Sequence, residues 1–312
     1  MNLFRIGLTT LLLTAVVSVS VADGDDAPKV PVVKKSAPAK PKNTSGVDVP
    51  KTPTFKSDDA VGHGKAVASF ADVYDRGWRD EVTRGRMTLF DAGGDSVQRS
   101  FSRMAYERAT KGDKLIIRFL SPAEIKGVSA LTFENSGSSD DSWLYLPASK
   151  RVRRVAGANN TASFQGTEFT YEDLSSLDPV EYAWRFSGET KLKRGETSIP
   201  VYKLEARPTY SDTGYSRLVV YYSTDGFRQE RIEYYDKAGK HLKTRDSSNW
   251  KLLHGRFWRA FRIEMTNHQT GKRTLLEQER FFLNLSLYTS KKTGKARKNL
   301  PESVFTTQAL QK

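Results

Sequence analysis

Residues 216–253 read SRLVVYYSTDGFRQERIEYYDKAGKHLKTRDSSNWKLL. Two turn signals, Thr224-Asp225-Gly226 and Lys237-Ala238-Gly239-Lys240, divide this stretch into three runs rich in β-branched and aromatic residues. Gly and Asp supply the backbone angles of tight bends, so the stretch reads as three strands of an antiparallel meander. The same punctuation continues on both sides. EYAWRFSGE and PVYKLEARP precede it, and FWRAFRIEMTN and RTLLEQERFFLN follow around Gln269-Thr270-Gly271-Lys272. Further upstream, GRMTLFDAGGDSVQRSFSRMAYER is a hairpin bent at Ala92-Gly93-Gly94-Asp95, followed by DKLIIRFL, SALTFEN and SWLYLP.

About ten such strands exceed what a flat twisted sheet carries comfortably, so curling into a barrel or half-barrel is expected. Ala66 to Trp78 has Val67, Phe70, Ala71, Val73 and Tyr74 near helical spacing, with Gly77 as a stop, and predicts one short helix. Residues 163–178 (SFQGTEFTYEDLSSLD) break the alternation and read as a loop or helical turn laid over the sheet. Several strands carry large apolar residues on both faces: Ile116 with Ile117, Leu144 with Tyr145, Val220 with Tyr221, Phe281 with Phe282. A sheet with one face in water alternates apolar and polar residues, so these strands need a cover on each side. The covers are either more protein or an apolar ligand held in a barrel mouth.

The chain has 312 residues and no cysteine, which excludes disulfides, thiolate catalysis and thiolate metal sites. Residues 1–22 carry Arg5, an apolar run from Ile6 to Val17 and a small-x-small end at Ser20-Val21-Ala22. That is the pattern of a secretory signal peptide, too short to span a bilayer. A periplasmic protein, soluble after cleavage, is the expectation. Residues 23–56 are rich in Pro, Lys, Ala and Val without periodicity, the composition of a disordered, solvated linker. The folded domain is then 57–312. A net charge of +14 leaves an anionic membrane surface, an anionic glycan or an acidic protein face open as partners. Export and the lack of a broad basic face argue against nucleic acid.

No chemistry of catalysis is spelled out. His63, His241, His254 and His268 are scattered, with none at i, i+4 from another and no H-E-x-x-H frame. There is no G-x-S-x-G elbow, and Ser138-Ser139-Asp140-Asp141-Ser142 lacks the ligand spacing of a calcium loop. Glu172 and Asp173 with Glu181 are the carboxylates that glycoside chemistry would need, but such acids more often pair with arginines, here Arg151, Arg153 and Arg154. No cofactor or metal is expected.

Three motifs in the middle of the chain carry a resemblance. Phe119, Pro122 and Gly127 form F-x-x-P-x-x-x-x-G. Trp143, Tyr145, Leu146, Pro147, Arg151, Arg153 and Arg154 form W-x-Y-L-P-x-x-x-R-x-R-R. Ser163, Phe164, Gly166, Thr167, Phe169, Thr170, Asp173 and Leu174 form the third. Over about residues 65–312 the chain resembles the bacterial outer-membrane lipoprotein-sorting protein family of the LolA-like superfamily. The resemblance implies a mainly β, α+β fold: a curved antiparallel sheet forming an incomplete barrel, with a few helices packed on its concave side around an apolar cavity for acyl chains. It also implies association with RND-type membrane transporters.

The reading is a non-enzymatic periplasmic carrier of lipid or lipoprotein acyl chains between inner and outer membranes. A lipid-sensing or transporter-accessory module and a carbohydrate-active enzyme are the alternatives. Strand alternation selects Phe101, Leu115, Ile117, Phe119, Leu131, Phe133, Trp143, Tyr145, Tyr221 and Phe261 as candidates for the lipid-binding lining. Arg151, Arg153 and Arg154 are candidates for rim or partner contact, on a hairpin that places at least one of them on each face.

Overall fold

The computed structural model describes residues 49–55, 59–108, 112–155, 157–290 and 293–311. The secretory segment and most of the linker expected from the sequence lie outside them. The described end of the linker is docked on the domain: Val49 and Phe55 pack against the core, and the Phe55 ring lies 5.4 Å from that of His63.

One α-helix among the described residues, α1 (Ala60–Asp75), precedes the sheet. It begins before the expected Ala66 because Asp59 caps it, accepting from the Val61 N–H at 3.0 Å. Gly62 and Gly64 obscured that start, since glycine weakens a helix by about 1 kcal/mol relative to Ala. Gly64 has a packing reason to be there. A Cβ at this position would lie 2.7 Å from the backbone of Arg185 and Phe186, so only glycine lets the helix seat this closely. Val67, Ala68, Ala71 and Tyr74 form its buried face.

Thirteen strands follow among the described residues, more than the ten or so expected. They are β1 (Asp80–Phe90), β2 (Ser96–Tyr106), β3 (Lys114–Ser121), β4 (Ser129–Phe133), β5 (Asp141–Leu146) and β6 (Arg151–Val155). After a crossover come β7 (Tyr182–Arg194), β8 (Thr197–Pro208), β9 (Tyr215–Ser223), β10 (Gln229–Asp236), β11 (His241–Leu253), β12 (Phe257–Asn267) and β13 (Arg273–Leu283). They form one antiparallel sheet in the order β6-β5-β4-β3-β2-β1-β13-β12-β11-β10-β9-β8-β7. Two meanders are thus joined where β1 pairs with β13, and the sheet is not closed, because β6 and β7 are its two edges. The expected curved, incomplete barrel is the observed architecture. A register shift opposite Arg84/Gly85 leaves Glu279 as an extra residue, a bulge in β13, and bulges bend a strand and increase its twist. Gly85 is required there, since a Cβ would meet the Glu277 carbonyl oxygen at 2.2 Å.

The topology imposes one demand. The chain leaves edge β6 and must reach edge β7, so residues between them cross the sheet. They do so on the face that carries α1, here the inner face: Phe169 joins Val67, Ala68, Ala71 and Tyr74 in one core cluster. Phe164 of the same segment packs with Met87, Phe101, Ile117 and Phe119.

The doubly apolar strands of the first meander have their two covers. On β3 and β4, Ile117 and Ala130 face inward beneath the crossover, while Ile116 and Leu131 face outward under Phe305 and Leu310 of the C-terminal segment. Ser129 Oγ donates to the Leu310 carbonyl at 2.8 Å, and Arg118 to the Ala309 carbonyl at 2.6 Å, fixing that segment. Val220 lies in the cluster under α1, whereas Tyr221 packs outward with Leu192, Val201 and Val219. Phe305 is 1% exposed; replacing it with Ala should cost about 3–5 kcal/mol by loss of apolar contact and cavity formation, measured as a lower urea midpoint with unchanged slope.

Candidate functional site

The crossover is held to the inner face by polar contacts that reach five strands. Asp173 lies beneath it, its carboxylate 2.6 Å from Lys243 Nζ of β11, with side chains 1% and 2% exposed. The Thr170 N–H and hydroxyl donate to the same carboxylate at 2.7 and 2.9 Å, and the Tyr215 hydroxyl donates to it at 2.7 Å. Lys243 also donates to the Glu168 carbonyl at 3.1 Å. The Glu168 N–H donates to Thr274 Oγ1 of β13 at 3.0 Å, and Asn267 of β12 donates to the Glu168 carboxylate at 2.8 Å. Arg99 of β2 donates to the Gln165 carbonyl. Next along the chain, Glu172 accepts from the Gly214 N–H at 2.9 Å, from the Tyr210 hydroxyl at 2.8 Å and from the Thr213 hydroxyl. The third sequence motif is therefore the crossover itself: Phe164 is its core anchor, Gly166 takes φ 77° at its bend, and Asp173 is its buried counterion.

Between α1, the crossover and the sheet lies a cavity of about 480 Å³, within the range of a single-ligand pocket. Met87, Phe101, Leu115, Ile117, Leu276 and Phe281 contribute apolar lining from the sheet, and Ala68, Ala71 and Tyr74 from the helix. Tyr222, Phe227, Trp250 and Trp258 line it from the other half of the sheet.

Carboxylates gather on the lining where the β2–β3 and β4–β5 connections meet the end of the crossover and the C-terminal turn of α1. They are Asp72, Glu107, Asp113, Glu134, Asp140, Asp178 and Glu181, with Arg76, Arg108 and Lys114 beside them. Burial, chiefly, pushes Glu107, Asp113 and Glu181 up to about 7 and Asp140 to about 6, with neighbouring carboxylates adding to the shift at Asp113 and Glu181. Some of these acids still have donors: Glu107 accepts from the Gly77 N–H at 2.9 Å, Glu134 from the Ser176 N–H at 2.9 Å and hydroxyl at 2.7 Å. Among the described residues, no group of His, Asp and Glu is arranged to hold a metal ion.

Of the lipid-lining candidates chosen by alternation, Phe101, Leu115 and Ile117 line the cavity. Phe119 sits beside it, its ring 5.6 Å from that of Phe164, and Phe261 packs behind the lining residue Phe281 at 5.5 Å. Leu131, Phe133, Trp143 and Tyr145 lie on the outer face with Phe305 and Leu310, and Tyr221 is on the outer face of β9. The register explains the split: Ile117 pairs with Ala130 and Ala130 with Leu144, so the inner row passes through Ala130 and Leu144 rather than Leu131 and Trp143. Tyr222, Phe227, Trp250 and Trp258 were missed, although their aromatic character marks them; Tyr222 differs from the selected Tyr221 by one step of alternation.

The arginines sit on edge strand β6. Arg151 and Arg153 pair with Leu146 and Leu144 and share their inner-face row, whereas Arg154 pairs with Trp143 and faces outward. All three are exposed, and none lines the cavity. Arg154 pairs with Asp141. The expected pairing of these arginines with Glu172 and Asp173 is replaced by the crossover contacts above, because those carboxylates lie beneath the segment and not beside the hairpin.

Two outcomes test this arrangement. Lys243→Met leaves the Asp173 carboxylate buried without a counterion and should destabilise the protein by about 3–5 kcal/mol, with Lys243→Met/Asp173→Leu losing less than the two single changes together in denaturant melts. The raised carboxylates hold protons in the folded state that the unfolded chain releases near pH 4, so their contribution to stability is full below about pH 4 and is lost as pH rises through about 7. Thermal melts between pH 5 and 8 should therefore show a smaller loss of stability with rising pH in Glu181→Gln and Asp113→Asn than in the wild type.

Comparison with known proteins agrees with this architecture. A family model described as "-like: Uncharacterized protein" matches residues 111–312, more than half of the chain. No curated protein matches in sequence. Among solved structures, an outer-membrane lipoprotein-sorting protein domain from Vibrio parahaemolyticus is 32% identical, with a TM-score of 0.73 over 81% of this chain and 100% of that one. A DUF1329 family protein from Desulfovibrio piger is 26% identical, with a TM-score of 0.71 over 81% of this chain and 99% of that one. A LolA superfamily protein from Nitrosomonas europaea, at 16% identity and a TM-score of 0.58 over 79% of this chain and 98% of that one, shares the fold. With its sorting-domain motifs, its open thirteen-stranded sheet and its helix on the inner face, the chain belongs to the outer-membrane lipoprotein-sorting protein family.

Proposed function

We propose that this protein is a non-enzymatic carrier that takes the acyl chains of a lipid or lipoprotein into its inner-face cavity and moves them between inner and outer membranes. The observation that carries the reading is the cavity of about 480 Å³ beneath α1 and the crossover, with Phe101, Leu115 and Ile117 in its apolar lining. Each methylene moved from water into such a lining contributes about 0.8 kcal/mol, so ten methylenes supply a gross driving force of about 8 kcal/mol, before the costs of association. The membership of a lipoprotein-sorting family supports the same ligand class. Site of action is the periplasm, with an RND-type transporter as the loading or receiving partner and the exposed Arg151 and Arg153 edge available to meet it. No described helix is long and apolar enough to cross a membrane.

The carbohydrate-active alternative loses two of the three acids that prompted it. Glu172 and Asp173 are engaged by Tyr210, Thr213, Gly214, Lys243, Tyr215 and Thr170, which leaves neither carboxylate free to flank a glycosidic bond. The carrier reading predicts co-purifying lipid in native mass spectra of protein isolated from its own envelope. Delipidated protein should take up a fluorescent fatty acid, and Leu276→Glu on the cavity lining should weaken that uptake at least tenfold. Transfer of lipid from donor to acceptor vesicles separates carriage from sensing. Protein that is reproducibly empty and takes up no fatty acid would sink the proposal.

A further inference from the structure

The cavity lining contains one cation whose setting differs from that of the others. Arg103 and Arg259 share Glu81, and Arg259 also meets Asp75 at 2.6 Å. Arg228 is bound by Glu230 and Asp225, each at 2.9 Å; Arg76 is bound by Asp72 at 2.8 Å and Lys114 by Glu302 at 2.6 Å. Arg108 donates to the Gly112 and Glu134 carbonyls. Arg245 of β11 has no carboxylate partner among the described residues. Its cross-strand neighbours are Ile232 and Met265, both 0% exposed, so the guanidinium arises from apolar surface. Arg245 is half-buried, and a partly desolvated cation gains from a counter-charge.

Its orientation is fixed. Arg245 donates to Gln229 Oε1, and Gln229 Nε2 donates in turn to the Tyr222 hydroxyl at 3.2 Å. That chain of contacts holds one edge of the guanidinium against β10 and leaves Nε, a buried donor, without an acceptor. Trp258 Nε1, also on the lining, is a second buried donor without an acceptor. Gln278 Oε1 is the third unpartnered buried atom of the lining; it is an acceptor, while its amide nitrogen donates to the Ala260 carbonyl at 2.8 Å. The carboxylate-rich part of the lining belongs to the β2–β3 and β4–β5 connections, on the opposite half of the sheet from β11.

We infer that Arg245 receives the anionic end of the ligand, so that the cavity takes an amphiphile bearing a carboxylate or phosphate with its alkyl chain laid on the lining of Phe101, Leu115 and Ile117. An acyl chain alone would leave the cation uncompensated; an acceptor-only head group supplies both counter-charge and hydrogen-bond acceptors. This inference rests on the carrier reading and specifies its ligand.

The test compares three probes of equal chain length by calorimetry or displacement of a fluorescent fatty acid: an alkyl carboxylate, an alkyl phosphate and the neutral alkyl alcohol. Wild-type protein should bind both anions at least tenfold more tightly than the alcohol. Arg245→Gln should abolish that preference, and Arg245→Lys should keep part of it. Preference for only one anion assigns the head group as carboxylate or phosphate and supports the inference. Equal affinity of wild-type protein for all three probes overturns it and leaves the carrier reading intact, and it does so even if the Arg245 variants fail to fold. Binding of none of the probes counts against the carrier reading itself.

Discussion

The contact on which the rest of the structure depends is the buried pair of Lys243 and Asp173. The sheet is built from two meanders whose outer strands, β6 and β7, are consecutive along the chain but farthest apart in the sheet. The intervening residues must therefore cross the inner face, where their backbone polar groups would be buried among apolar side chains. A charge pair at 2.6 Å, completed by Thr170, Tyr215 and the Glu168 carbonyl, satisfies that burial at the centre of the crossing. Breaking one partner leaves a buried charge, which is why such pairs define a single arrangement even where a wholly apolar contact could be as stable. The crossover then forms one wall of the cavity, with Asp173 and Leu174 on its lining.

The cavity that results is not uniformly greasy. Its sheet and helix walls are apolar, but it also contains arginines matched with acids, Arg245 held by the Gln229 amide and a group of carboxylates raised by burial. An amphiphile fits such a lining better than a hydrocarbon does, because each polar group on a dry wall needs a partner. The helix contributes by staying close: Ala68 and Ala71 on its lining face and Gly64 against β7 keep its axis near the sheet, which sets the depth of the space beneath it.

The outer face shows how the same strands can be apolar on both sides without exposing that surface. Phe305 and Leu310 cover Ile116 and Leu131, and Tyr288 packs against Phe282 at 5.1 Å. On β3 and β4 both-sided hydrophobicity was therefore a sign of two covers, the crossover and the C-terminal segment, whereas on β9 the outer side chains pack against same-face neighbours of the sheet. Nothing in the strands themselves tells the two sides apart.

Much of this was legible in the sequence. Turn residues at Asp225-Gly226, Ala238-Gly239 and Thr270-Gly271 delimit strands because few residues adopt those backbone angles, and the run 163–178 stood out because it lacked alternation. The crossover motif was visible as spacing, though its partner Lys243 lies seventy positions away in the chain and no local pattern joins the two. Alternation within a strand determines which side chains share a face, since successive residues point to opposite sides. Which face of one strand continues into which face of the next depends on register, and register is set by pairing between strands. That is why Phe101, Leu115 and Ile117 were placed with Leu131 and Trp143, which the structure separates by the thickness of the sheet. The sequence by itself determined the strands, their bends and the family motifs, all local consequences of backbone sterics and composition. Only the tertiary structure decided which side is the cavity, which carboxylates are buried and how Arg245 is partnered, because those properties belong to neighbours brought together by long-range pairing.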